Sequence, residues 1–380
     1  MRYIQADWIY TLIGEPVKNG IIAVDEEGII EDVFSSETFS ENRHIERLSG
    51  SICPGFVNTH CHLELSHLKG KVAEKTTLPG FITSLQAQRK ASEEEIQSAI
   101  EKADAEMWEN GIVAVGDICN STDTIDQKKK SKIFYHSFIE LFGFNPSVAD
   151  DIFNRALALS ESFGVLSNSI VPHAPYSVSK QLFEKIKLQA QDSNKTLTIH
   201  NQETPSENDL YKSKSGAMAD MLQQFKLDVS SWENSGVNSL PSVIDYFPNE
   251  NPLLLVHNTF TNESDIDVAT SKHKNLYWCL CPNANLYIEN ALPDVLLFRK
   301  KKLKITLGTD SLASNHQLSI WEEIKTIQQH FPEIELNELL TWACKNGAEA
   351  LQLKQFGTIE KGKKPGLNLI NPKDEIEKIL

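Results

Sequence analysis

From residue 54 onward the chain alternates between short apolar runs and longer segments whose apolar positions recur at helical spacing. The segment from Ser92 to Asn110 shows the helical pattern most fully. Ile96, Ile100 and Met107 form one stripe, Ser92 and Glu95 have capping-box spacing, and Gly111 follows as a stop. Further helices are predicted over 149–162, 179–193 and 215–225. The intervening runs read as strands: Phe56-Val57, Ile112 to Val115, Ile133 to Ile139, Ser169 to His173, Thr196 to His200, Leu253 to His257, Leu276 to Leu280 and Ile305 to Asp310. About eight strands over about 300 residues, mostly separated by helical segments, predict a parallel sheet closed as a (β/α)8 barrel.

The pattern differs at the start of the chain. Residues 1 to 53 read as short strands, with a hairpin from Ile21-Ile22-Ala23-Val24 through Asp25-Glu26-Glu27-Gly28 to Ile29-Ile30, where Gly28 supplies a positive φ. Residues 201 to 251 exceed an ordinary crossover and suit either a substrate-facing lid or a surface excursion. The run Lys128-Lys129-Lys130 reads as a solvated loop.

Composition narrows the function. A formal net charge of −15 argues against nucleic acid, whose phosphates call for a basic face. The six cysteines (Cys53, Cys61, Cys119, Cys279, Cys281 and Cys344) lack C-x-x-C spacing and read as reduced, buried thiols. No apolar run reaches membrane-spanning length and no secretory leader is evident, so a cytoplasmic location is expected.

Chemistry enters at the strand ends. Four of the strands end in His and the last ends in Asp310. In a parallel barrel these ends converge on one mouth, where active sites of that fold lie. His60 and His62, two apart, project to the same face of a strand. With His200 and Asp310 they offer three imidazoles and one carboxylate to one divalent metal ion. Zn²⁺ is the first expectation, with Fe²⁺ and Mn²⁺ as alternatives, and a position remains for water. Such a metal lowers the pKa of its water from about 16 towards about 7. Glu203, three residues past His200, is placed to shuttle protons, and His257 to orient the hydroxide or the departing group.

Two nearby patterns fail. His62-Leu63-Glu64 lacks the Pro-Cys-x-x-Cys of a zinc nucleobase deaminase, and His62 and His67 are too far apart for a His-Glu-x-x-His helix. Glu64, Ser66 and His67 are instead candidate substrate contacts in the loop after the first strand.

Pro54-Gly55-Phe56-Val57-Asn58-Thr59-His60-Cys61-His62 resembles the first metal motif of the amidohydrolase superfamily. The resemblance extends in order through His173-Ala174-Pro175-Tyr176-Ser177, His200-Asn201-Gln202-Glu203, Val256-His257-Asn258, Cys281-Pro282-Asn283-Ala284-Asn285 and Leu307-Gly308-Thr309-Asp310-Ser311. It is strongest to the deaminase and chlorohydrolase branch, which includes aminodeoxyfutalosine and adenosylhomocysteine deaminases. That branch implies one metal on His60, His62, His200 and Asp310, acid/base work by Glu203, and a substrate-facing His173. Strand four carries no Lys for a second metal. The seventh-strand motif departs from the family's Cys-Pro-x-Ser-Asn by having Ala284, which bears on specificity.

Gly357 to Gly362 resembles the family's return to a small β domain. Residues 1–53 plus 355–380 are thereby expected to form a small β-sandwich, with 54–354 as the hydrolase barrel.

The expected activity is hydrolytic deamination of an amino-substituted heterocycle, a purine nucleoside derivative of adenosine-thioether or 6-aminodeoxyfutalosine type. Hydroxide held by the metal, Asp310 and His257 would attack the amine-bearing carbon, and Glu203 would protonate the adjacent ring nitrogen. Phe142, Tyr176, Trp278 and Tyr287 are candidate pocket aromatics, and Tyr176 and Asn285, with Glu64, complete the candidate substrate contacts. Two alternatives stand. One is hydrolysis of another C–N or C–Cl bond, as in guanine, a cyclic amidine or a triazine; the other is a catalytically silent structural protein on the same scaffold. The expected partner is a small heterocyclic substrate, with neither nucleic acid nor membrane, and a homodimer is left open.

Overall fold

A computed structural model describes residues 1–380 apart from 37–38, 40–42, 228 and 230–233. Its centre is two four-stranded parallel sheets. In chain order the first takes Phe56–Cys61, Ile112–Cys119, Phe134–Leu141 and Ser167–Pro172, and the second takes Leu197–Asn201, Leu253–His257, Leu276–Leu280 and Ile305–Leu307. Helices such as Glu93–Glu109, Ala149–Ser162, Lys180–Gln191 and Glu263–Lys272 fall between the strands in sequence, and Ile320–His330 follows the last of them. Both faces of the sheets are covered, and strands such as Leu253–His257 and Leu276–Leu280 are buried at every position. Strands buried on both faces therefore show as continuous apolar runs rather than alternating ones.

The two sheets touch along both edges. On one side His200 N donates to His173 O at 2.9 Å; on the other, Thr309 N and Asp310 N donate to His60 O at 3.0 and 3.1 Å. The second contact depends on Gly308. A Cβ there would lie 2.7 Å from His60 Cβ and 2.9 Å from Cys279 Sγ, too close for any side chain. Asn58 clamps the same seam, donating to Thr309 Oγ1 at 2.8 Å and accepting from Thr309 N at 3.1 Å. The strand carrying His60 is thus locked to the segment carrying Asp310.

Both chain ends contribute short strands. Leu367–Ile370 pairs antiparallel with Ser51–Pro54, and Arg2–Gln5 pairs with Ile21–Val24. Ile4, Ile9, Ile22, Val24, Ile30, Ile52, Leu367 and Leu369 share one apolar cluster. The hairpin turn forms as its sequence requires, with Gly28 at φ 85 and Asp25 Oδ1 accepting from the Glu27 and Ile29 amides. Residues 37–38 and 40–42 of this end lie outside the described residues.

The lysine run departs from the solvated-loop expectation. Ile125–Lys130 is a helix, and at about 100° per residue its three lysines point in different directions, so they cannot all face solvent alike. Lys128 turns inward: its side chain is fully buried, with Nζ 2.6 Å from Asp117 Oδ2, 2.8 Å from Ser137 Oγ and 3.0 Å from Cys119 Sγ. Lys129 and Lys130 remain exposed.

The stretch from 201 to 251 contains the helices Pro205–Ser213, Ala217–Gln224 and Ser239–Val243, while 228 and 230–233 lie outside the described residues. Met218, Met221 and Leu222 join Leu65, Leu78, Phe81, Tyr176 and Tyr287 in a satellite apolar cluster that ties this stretch to the helix Thr77–Gln88. No helix among the described residues is long and apolar enough to cross a membrane. All six cysteines are buried free thiols.

Candidate metal centre and active site

The strand ends bring His60, His62, His200 and Asp310 together. His62 Nε2 lies 3.2 Å from His60 Nε2 and 3.3 Å from His200 Nε2. Asp310 Oδ1 lies 3.4 Å from His60 Nε2 and 3.3 Å from His62 Nε2. A tetrahedral zinc site with bonds of about 2.0–2.1 Å has ligand–ligand edges of about 3.3–3.4 Å. The donor atoms already stand at that spacing, so the cluster fits one cation. His257 joins His60 and Asp310 in a second overlapping donor set.

Burial sets the charge states. It lowers His62 to about 3 and His257 to about 4, and holds His173 and His200 well below the ordinary imidazole value. These imidazoles are neutral at pH 7, the form that ligates. Burial opposes charge on Asp310, but its hydrogen bond with His60 and the neighbouring imidazoles outweigh burial and hold it below the usual carboxylate range. Burial first, then the nearby Asp310, Glu207 and Glu289 carboxylates, push Glu203 well above its ordinary value. A carboxyl so placed can carry a proton to a substrate at neutral pH.

Three groups of the cluster are held from behind. His200 Nδ1 donates to His173 O at 2.9 Å, His257 Nδ1 pairs with Asn285 Oδ1 at 2.8 Å, and Ser314 Oγ donates to Asp310 Oδ2 at 2.5 Å. Glu203 is positioned through its backbone, because the Glu207 carboxylate accepts from the Gln202 and Glu203 amides at 3.0 and 3.3 Å. Its Oε1 lies 3.7 Å from His257 Nε2.

A cavity of about 440 Å³ opens over this cluster. His62, His200, His257, Asp310, Glu203, His173 and Tyr176 all line it. Much of the remaining wall is apolar, with Leu78, Phe81, Ile82 and Leu85 from the helix Thr77–Gln88, and Met221, Leu222, Phe225 and Leu227 from the 201–251 stretch. That stretch is therefore part of the cavity wall. Phe142 also lines it.

Other candidates lie elsewhere. Trp278 is a core residue at 1% exposure, and Tyr287 sits in the satellite cluster with its hydroxyl on Val72 O. Neither Glu64 nor Asn285 lines the cavity. Asn285 stands behind His257, as the hydrogen bond above shows. The Glu64 carboxylate accepts from Asn120 N, Ser121 N, Ser121 Oγ and Arg89, at 3.0 to 3.2 Å. With four donors already on it, Glu64 organises the wall instead of facing a ligand. Ser66 and His67 are likewise turned to local backbone carbonyls.

Glu140 and Asn120 are among the polar cavity residues that escape the sequence pattern. Glu140 is the penultimate residue of the strand Phe134–Leu141, close to the strand end where the histidines stand on theirs, and that position was the available signal. Burial raises its carboxyl to about 8. Asn120 follows the strand Ile112–Cys119, whose length exceeds the apolar run that marks it.

Comparison with known proteins follows the same lines. The amidohydrolase family profile matches residues 51–379. A 5-methylthioadenosine/S-adenosylhomocysteine deaminase of Bacillus cytotoxicus is 27% identical, covering 94% of this chain and 82% of its own. Helicobacter pylori aminofutalosine deaminase in complex with methylthio-coformycin superposes with a TM-score of 0.83 at 24% identity, over 98% of this chain and 92% of that one. A Xanthomonas campestris adenosine deaminase with bound zinc gives 0.75 at 21%, over 96% and 83%. The structural likenesses show an α/β fold with parallel sheets, of TIM-barrel type.

Proposed function

The chain belongs to the amidohydrolase family, and from that premise we propose that it is a metal-dependent hydrolytic deaminase of a purine nucleoside derivative. The observation that carries this is the convergence of three imidazoles and a carboxylate at metal-ligand spacing beneath a cavity walled by Glu203, His257 and His173. Relatives named as adenosine-type deaminases supply the substrate class.

His60, His62, His200 and Asp310 would hold one divalent ion, zinc in our reading. When bound, it supplies Lewis acidity and acidifies a water. The chain's own groups do the rest. His257, held by Asn285, orients the attacking water against the amine-bearing carbon. Glu203 delivers a proton to the adjacent ring nitrogen, then relays one to the amino group so that ammonia departs. His173, its Nδ1 hydrogen-bonded with Ser177 Oγ at 2.7 Å, fixes the base through its other ring nitrogen. Tyr176 and the apolar wall exclude water, which strengthens each of these interactions. An apolar wall of this extent suits a 5′-substituted nucleoside such as an adenosine thioether or an aminodeoxyfutalosine.

For the scaffold, we take the two central sheets as one closed (β/α)8 barrel over 54–354. The strands of 1–53 and 355–380 form a β-sandwich around their shared apolar cluster. Buried free thiols suit a reducing compartment, and we place the enzyme in the cytoplasm.

The test is ammonia release by zinc-loaded protein across adenosine, 5′-methylthioadenosine, S-adenosylhomocysteine, 5′-deoxyadenosine, aminodeoxyfutalosine, guanine and a chlorotriazine. Turnover of one or more adenosine-type compounds, abolished by chelation and restored by metal, is expected. Silence on all of them with activity on guanine or the triazine would sink this reading.

A further inference from the structure

Glu140 presents a buried oxygen that the protein does not satisfy. Its side chain is 1% exposed, and it lines the cavity beside His173 and His200. Oε2 accepts from Asn120 Nδ2 at 3.1 Å, and the same amide donates to Glu140 O at 3.2 Å, so this half of the carboxyl is fixed. Oε1 has no hydrogen-bond partner. His200 Nδ1 lies 3.4 Å away, but its hydrogen is directed at His173 O at 2.9 Å. Leaving a buried acceptor unpaired costs about 1–3 kcal/mol, more if it is charged. Native proteins satisfy most such groups, so one left over beside a cavity calls for an explanation, and a ligand group that completes the set supplies one.

Asn120 is itself anchored. Its backbone N–H donates to Glu64 Oε2 at 3.0 Å, and Glu64 is held in turn by Ser121 and Arg89. The Glu140–Asn120 pair is thus a rigid polar ledge in a largely apolar wall. A hydroxyl suits it best, because a hydroxyl donates to a carboxylate and equally accepts from a neutral carboxyl. On a purine nucleoside whose amino group points at Glu203, the hydroxyls belong to the sugar. A metal ion is the other group that Glu140, His173 and His200 could hold together. The Nδ1 hydrogen of His200 opposes that, being committed to the His173 carbonyl.

We propose that Glu140, fixed by Asn120, is a specificity-determining residue that takes a sugar hydroxyl of the nucleoside and so selects ribosides over hydroxyl-free analogues. This rests on the deaminase reading for its choice of ligand.

The experiment compares an adenosine-type riboside with its 2′,3′-dideoxy counterpart on the zinc-loaded full chain, by kcat/KM and by equilibrium binding through the thermal shift. The wild type should favour the riboside by about 10–100-fold, a hydrogen bond to a buried acceptor. Glu140→Ala should erase that preference by weakening the riboside alone, mainly in KM, with the dideoxy compound within about threefold of wild type. Asn120→Ala should move the same way by less. Equal losses on both ligands with a fall in zinc content would mean that Glu140 only supports His200, and would overturn the proposal. So would a wild type that does not discriminate, or two metal ions per chain falling to one in Glu140→Ala. Binding with the riboside preference but without ammonia release would sink the deaminase reading and leave the ledge standing; deamination without the preference would do the reverse.

Discussion

Replacing Lys128 with Met should destabilise the fold and loosen the metal site together. Lys128 Nζ and Asp117 Oδ2 are 2.6 Å apart with both side chains fully buried, and Ser137 and Cys119 take the remaining hydrogens. Burial penalises the ammonium, yet Asp117 and Cys119 more than offset it and keep Lys128 charged. Met fills a similar volume but leaves the carboxylate without its counter-ion. Breaking a buried pair on one side costs about 3–5 kcal/mol. An unfolding entropy near 2.1 cal/mol/K per residue, over 380 residues, is about 0.8 kcal/mol/K, so Tm should fall by about 4–6 °C.

The functional arm runs through the other carboxylate oxygen. Asp117 Oδ1 accepts from Leu63 N at 2.8 Å, and Leu63 directly follows His62. An Asp117 that shifts toward a new partner pulls on this amide, so zinc affinity measured against a chelator should fall by about 10-fold or more. Two controls sharpen the result. Lys129→Met, on the exposed neighbour, should stay within about 0.5 kcal/mol of wild type. Adding Asp117→Asn to Lys128→Met removes the stranded charge and keeps an acceptor for Leu63, and should recover most of the lost stability. A Lys128→Met Tm within about 1 °C of wild type, or a double variant no better than the single, would refute the reasoning.

Four other outcomes are expected. Glu203→Gln should lower kcat by about 10²–10⁴-fold at unchanged zinc content, and full turnover would remove Glu203 from the chemistry. Asn285→Ala takes away the acceptor 2.8 Å from His257 Nδ1 and should cost about 10-fold in kcat with KM little changed; Asn285→Asp should restore it. Ser314→Ala deletes the donor to Asp310 Oδ2 and should weaken zinc by about 10–100-fold in a chelator competition, with equal affinity counting against it. Glu207 carries a pH signature: burial raises it from 4.5 to about 7. Between those values the folded chain keeps a proton that the unfolded chain has released, so this group's contribution to stability declines as pH rises through the window. Glu207→Gln should flatten that decline in denaturant midpoints taken at about pH 5 and about pH 8, and an unchanged slope would exclude Glu207 as its source.

The parts of this molecule that repeat were the parts legible in sequence. Strands buried on both faces read as apolar runs, and a His or Asp closing such a run is conspicuous because a polar group there breaks the pattern. Glu140 met the same condition but stands one residue before Leu141 and Phe142, so the apolar run hid it. Lys128 was hidden by its neighbours: three lysines look alike, and only the phase of a short helix decides which turns inward. The cavity wall was least legible. The helices Thr77–Gln88 and Ala217–Gln224 lie apart in sequence and meet only in the satellite cluster, a long-range packing event with no local spacing. Asn285 shows a subtler limit. Its motif marked it as belonging to the site, but only the structure separates a ligand contact from a residue that aims His257.

The backbone shows why so much hydrogen bonding surrounds so few ligands. Gln202, His257, Asn258 and Asp310 all adopt left-handed conformations, with φ of 46, 72, 57 and 56. An extended strand alternates its side chains, so two successive residues cannot both face the cavity. A left-handed turn at the strand end breaks the alternation and swings the next group inward, at roughly 1–2 kcal/mol for each non-glycine residue. Such conformations persist only where neighbours over-determine them. Here Asn258 Nδ2 donates to Leu255 O at 2.7 Å and Asn201 Nδ2 to Asn258 Oδ1 at 2.9 Å, while Gln202 Nε2 reaches Asp265 Oδ2 at 2.8 Å. These buried amides hold strained strand ends in the geometry that lets His257 and Glu203 converge.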